Sequence, residues 1–169
     1  MLISLMFQLA PSPQTADKSD LYRLLVAQSR ALLEDERDPI ARAANLASLL
    51  YHQLPGLNWA GFYFWNGSEL VLGPFQGKPA CTRIAWGRGV CGRALASGRT
   101  LIVPDVHAFP DHIACDPESR SEIVVPLAHP SGAPFGVLDL DSPIPGRFDE
   151  EDGRGLEAIV AIYLEALAP

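Results

Sequence analysis

Three cysteines, Cys81, Cys91 and Cys115, lie in a stretch that runs to Asp141 and also holds His107, His112 and His129. Three is too few for a disulfide scaffold, and an odd number leaves at least one thiol unpaired. The chemistry open to such residues is that of a thiolate nucleophile. Cys115 is the foremost candidate. It sits in the run from Val106 to Pro117, between Pro110 and Pro117, and prolines so placed keep it on a loop. Asp116 and Glu118 would raise its pKa, whereas His112 and Arg120 would lower it. Cys91, beside Val90 and Ala94, also reads as a small buried hydrophobe.

The carboxylates form a second group. Asp139 and Asp141 alternate with leucine on one strand, and Glu122 opens the strand before it. Taken alone, this is a solvated strand face. However, Trp59 and Tyr63 share a face of another, strongly apolar strand. If the faces converge, they enclose a cavity with acids on one wall and rings on the other. That cavity suits an ammonium group attached to a small apolar side chain. Burial and like charge would also keep a proton on one acid at neutral pH.

Two other patterns carry less. Gly87-Arg88-Gly89-Val90-Cys91-Gly92 fits G-x-G-x-x-G, with Asp105 downstream. The strand before it lacks a buried apolar run, the helix after it is short, and no second βαβ unit follows. A glycine-rich turn is the better reading. His107, His112 and Cys115 could ligate zinc, but their spacing fits no standard site; no metal or cofactor is expected. A net charge of −7 without a basic cluster argues against nucleic acid or an anionic membrane as partner.

These residues need a scaffold. Residues 1–15 read as an apolar, proline-containing extension, too short to span a bilayer and lacking the basic start of a secretory signal. Residues 16–169 read as one domain, and the reduced thiols point to the cytoplasm. A first helix presents Leu21, Leu24, Leu25, Gln28 and Leu32, with Asp17 or Ser19 as cap. Asp38-Pro39 starts a second, which buries Ile40, Ala43, Ala44, Ala47, Leu50 and Tyr51 and stops at Pro55-Gly56. Trp59–Trp65 and Glu69–Leu72 form a hairpin across Asn66-Gly67, ending in a loop at Gly73-Pro74. Short strands are expected at Thr82–Ile84 and Leu101–Val103, flanking a helix over Val90–Ser97. Glu122–Ala128 and Pro134–Asp141 pair across a turn. A last helix starts near Asp149 and buries Leu156, Ile159, Val160 and Tyr163. The result is an α+β domain, a central antiparallel sheet with helices from both chain ends packed on it.

The segments Val71–Gly77, Gly87–Gly92, Val103–His107, His112–Asp116, Ser121–Pro126 and Gly136–Ser142 resemble the free methionine-(R)-sulfoxide reductases, which are single GAF domains. The resemblance covers roughly residues 16–166, and the cysteine triplet is its most specific element. It implies that Cys115 is the nucleophile and that Cys81 or Cys91 resolves its oxidised form. It further implies that Trp59, Tyr63, Glu122, Asp139 and Asp141 hold the free amino acid, with Glu122 or Asp141 as proton donor. Thioredoxin would be the reductant, and a homodimer is compatible with the family. Cys81 follows Gly77-Lys78-Pro79-Ala80, a loop that could travel, so a Cys81–Cys115 bond is favoured, with Cys91 as second resolver. Cys91, in the first turn of a helix, should have a lowered pKa. The competing functions are a GAF module that binds a small ligand or senses redox state without turnover, and a zinc-stabilised binding domain.

Overall fold

The computed structural model describes residues 17–113, 115–165 and 167. The expected extension over 1–15 lies outside them. The elements are α1 (Lys18–Leu33), α2 (Pro39–Gln53), β1 (Trp59–Trp65), β2 (Glu69–Gly77), β3 (Arg83–Ala85), α3 (Gly89–Ser97), β4 (Leu101–Val103), β5 (Ser121–Ala128), β6 (Pro134–Ser142) and α4 (Glu150–Glu165). The strands make one antiparallel sheet in the order β3-β2-β1-β6-β5-β4. It consists of two three-strand meanders, β1-β2-β3 and β4-β5-β6, joined along the β1–β6 seam. The fold is therefore α+β with a central antiparallel sheet, as the alternating strand patterns imply.

Alternation gives the sheet two different faces. Ala60, Phe62, Ile123, Val125, Leu127, Leu138 and Leu140 turn toward α1, α2 and α4 and form the larger core. Trp59, Tyr63, Val124 and Val137 turn the other way, toward α3. The connection from β3 through α3 to β4 crosses this second face from one sheet edge to the other. It leaves a cleft where α3 does not reach.

The helices differ in phase from their sequence pattern. In α1, Tyr22, Ser29 and Leu33 are buried with Leu21, Leu25 and Gln28, while Leu24 and Leu32 are half-buried. Asp17 occupies the N-cap position but its side chain makes no capping bond. In α2, Asp38 caps as expected by accepting from the Ile40 and Ala41 amides. Ile40, however, is 52% exposed and Ala44 is exposed, because the buried face includes Arg42. Its guanidinium donates to the carbonyls of Leu33 at the end of α1 and Glu36 just past it, and to those of Ile162 and Tyr163 in α4. Carbonyls at two helix ends gain a charged donor in this way. Arg42→Met should lower stability by about 3 kcal/mol, two or more carbonyls each losing a charged donor at roughly 1.5 kcal/mol. The midpoint of urea unfolding measures it, and a change under about 0.5 kcal/mol would refute the assignment.

The loop expected at Gly73-Pro74 is instead a bulge inside β2. Gly61 pairs with Phe75 and Tyr63 with Leu72, so β2 has one residue more than β1 there. β3 pairs β2 only through Val71, so Pro74 lies on a free edge where its missing N–H is tolerated. No helix among the described residues is long and apolar enough to cross a membrane.

Candidate active site

The seam between the meanders brings the candidate residues together. Glu122 on β5 lies opposite Asp141 on β6, which in turn lies opposite Trp59 on β1. One pleat along, Asp139 lies between Val124 and Gly61. The acids and rings are thus one wall, the open face of the sheet, and do not oppose each other as the sequence pattern suggested. The facing wall is the start of α3 with Arg88, Gly89, Val90 and Cys91, and the loop carrying His112, Ile113, Cys115 and Ser119. The cleft between them is about 540 Å³, its open mouth included.

Glycines make room for this wall. A Cβ on Gly61 would stand 2.6 Å from the Trp59 ring, and one on Gly77 would stand 2.8 Å from its other edge. The indole therefore lies flat between two positions that must lack side chains, stacked on Phe75 at 5.4 Å. The G-x-G-x-x-G pattern is likewise explained by backbone geometry. Gly87 and Gly89 have φ of 72° and 59°, and a Cβ on Gly92 would sit 2.5 Å from the Ala85 carbonyl. The pattern docks α3 against β3 and marks no dinucleotide site.

Cys81 and Cys115 are joined by a disulfide, with Cα atoms 5.6 Å apart. Both flank the cleft on loops, as expected for Cys115. Cys91 is free and buried. Its sulfur is 3.3 Å from Asp139 Oδ2 and 3.9 Å from Glu122 Oε1. His112 Nε2 is 3.5 Å from Glu122 Oε2. With Cys115 bonded to Cys81 and His107 exposed, the His107, His112 and Cys115 zinc set does not form.

Burial decides the charge state. Removal from water pushes the Glu122, Asp139 and Asp141 carboxyls well above their ordinary range, and the neighbouring acids push each further. The cluster therefore keeps its protons to higher pH than isolated carboxyls would. Cys91 is also raised, first by burial and then by the Asp139 charge. The lowering expected from its place in α3 is overridden, because a thiolate there would be desolvated beside two acids. Burial also pushes the His112 imidazole down, favouring its neutral form.

Sequence reasoning missed Asn58, Ser119, Arg88, Gly61 and Gly77. Asn58 Nδ2 donates to Ser119 Oγ at 3.0 Å and to Asp116 Oδ2 at 3.3 Å, tying the cysteine loop to the start of β1. The signal for the glycines was present, since a glycine within an aromatic strand marks a close approach. Nothing in the sequence marked Ser119.

The GAF domain family matches residues 38–165. Protein YtsP of Bacillus subtilis is 54% identical over 157 residues, covering 92% of this chain and 96% of its own. Free methionine-R-sulfoxide reductase of Escherichia coli is 48% identical over 152 residues, covering 90% of this chain and 92% of its own. The X-ray structure of free methionine-R-sulfoxide reductase from Neisseria meningitidis in complex with its substrate superposes with a TM-score of 0.91 at 46% identity, covering 96% of each chain.

Proposed function

The chain belongs to the free methionine-R-sulfoxide reductase family of GAF-domain proteins, and on that premise we propose that it reduces free methionine-(R)-sulfoxide to methionine through Cys115. The observation that carries this reading is the convergence, in one cleft, of Cys115, bonded to Cys81, with the buried Glu122 and Asp139 and the half-buried Asp141.

The Cys115 thiolate attacks the sulfoxide sulfur while Glu122 or Asp141 gives a proton to the sulfoxide oxygen. The oxygen ends on Cys115 as a sulfenic acid, and methionine leaves with its sulfur reduced. Cys81 then attacks the Cys115 sulfur and water departs, leaving the disulfide. A thioredoxin-like dithiol in a reducing cytoplasm returns both thiols. Trp59 faces the apolar side chain, and Asp139 attracts the ammonium group. Arg88 and the first turn of α3 turn their positive end toward the carboxylate. Cys91, buried and protonated, holds Asp139 in place and stays outside the redox cycle.

Reduced protein given free methionine-(R)-sulfoxide without reductant should form one methionine per chain and lose two thiols, retaining Cys91. The (S) epimer and the sulfoxide within a peptide should react poorly. A peptide amide carries no charge for Asp139, and a site built around a missing polar group rejects the analogue strongly. Binding of the sulfoxide with no methionine formed would favour a ligand-sensing GAF module instead.

A further inference from the structure

Trp59 and Tyr63 have polar ends that the proposed chemistry does not use. The Tyr63 hydroxyl donates to the carbonyl of Cys81 at 3.0 Å. The Trp59 indole N–H donates to the carbonyl of Lys78 at 3.1 Å. Both side chains are almost fully buried, and their rings lie 5.9 Å apart on the sheet face. They therefore grip the segment leading into Cys81 at two points three residues apart. No strand ladder holds that segment, since β2 ends at Gly77 and β3 begins at Arg83.

The segment is fastened on its outer side as well. Lys78 pairs with Glu118 and lies 3.5 Å from Asp116 Oδ2, both on the loop that carries Cys115. The N–H of Glu118 and the charge of Lys78 hold the Asp116 carboxyl below its usual range, so this contact remains ionic at neutral pH. The exposed ion pairs are worth little alone. The buried hydroxyl and indole are rigid and, burial having pushed the Tyr63 phenol up, remain donors at any ordinary pH.

We propose that Tyr63 and Trp59 are positioning residues for the redox pair, their hydroxyl and N–H holding the Cys81 segment so that its sulfur is kept within bonding reach of Cys115. A disulfide forms readily only when the Cα atoms are brought within roughly 7 Å, and a free five-residue connection between β2 and β3 would place Cys81 there a small part of the time. The two donors raise its effective concentration at Cys115. The aromatic pair thus serves two ends: its ring faces line the cleft, and its polar edges set the resolving thiol.

The test separates these ends with Tyr63→Phe, which keeps the ring and removes the hydroxyl. The equilibrium of the Cys81–Cys115 pair against a glutathione or dithiothreitol buffer is measured without any sulfoxide, so the result stands whether or not the proposed reaction occurs. The disulfide of Tyr63→Phe should be about tenfold easier to reduce, which is ~30 mV toward higher potential for this two-electron couple. Trp59→Phe, removing the other donor, should move it the same way, and Tyr51→Phe on α2 should not move it. With methionine sulfoxide in a single turnover, dimedone should trap more sulfenic acid at Cys115 per methionine released in Tyr63→Phe than in the parent protein. A general loss of fold stability would shift the urea midpoint and leave the potential unchanged. Reduction equilibrium constants within twofold of the parent protein's in both Tyr63→Phe and Trp59→Phe would overturn the proposal.

Discussion

With Cys115 replaced by serine, the protein should fold and form no methionine, a loss of more than about 10³-fold. A serine hydroxyl is too weak an acid to supply the attacking anion, and its oxygen cannot pass through a sulfenic acid. The fold should survive because Cys115 lies on the loop before β5, outside both apolar cores. Losing the disulfide removes a cross-link that a reducing compartment would open anyway. Cys81→Ser should behave differently. It should give close to one methionine per chain and then stop or slow, with the sulfenic acid trapped on Cys115. Single-turnover methionine yield, with circular dichroism to confirm the fold, distinguishes the two. Sustained turnover by folded Cys115→Ser would remove Cys115 from the reaction.

The carboxyls should give the next largest effect. Glu122→Gln and Asp141→Asn should each lower kcat by about 10²–10⁴-fold, since an amide cannot deliver a proton to the leaving oxygen. Asp139→Asn should act mainly on KM through lost attraction for the ammonium group. The same burial has an opposite consequence for stability. The folded state holds these protons to higher pH than the unfolded chain does. The folded form therefore binds more protons above the ordinary carboxyl range, and stability must fall as pH rises through that window. Asp139, whose Oδ1 is buried with no hydrogen-bond partner, bears much of this cost. Asp139→Asn should thus be more stable than the parent at pH 8 and lose that advantage near pH 4. Urea unfolding at the two pH values reads the difference. Normal kinetics in all three variants would reduce these acids to a merely structural strand face.

Much of this was legible because period-two patterns name faces. Trp59, Tyr63, Glu122, Asp139 and Asp141 could be placed on one face each, and the hairpin register then makes Glu122 and Asp141 neighbours. What the pattern could not give was how strands distant in sequence pair. The β1–β6 seam puts acids and rings on the same wall, and no local signal specifies it. The buried face of α2 was misphased for a different reason. Arginine is rarely interior, so the apolar stripe of α2 was phased to exclude it, which put Ile40 inside. The Gly73-Pro74 bulge was read as a loop because glycine and proline mark both, and only pairing separates them. The pKa of Cys91 was misjudged because helix position is visible in sequence while burial beside Asp139 is not.

The seam has a consequence for how the molecule breathes. Trp59 and Tyr63 belong to one meander, and Glu122, Asp139 and Asp141 to the other, so a molecule lodged in the cleft touches both. Any opening that parts β1 from β6 dismantles the cleft, and a bound ligand opposes that opening by its own binding free energy. At a hundred times Kd the resistance amounts to about 2.7 kcal/mol. Amides along the seam that exchange with solvent through such openings should slow by roughly 100-fold on adding ligand, while those at fraying helix ends should exchange as before. A small molecule held by five side chains would then act as a clasp between two halves of the sheet.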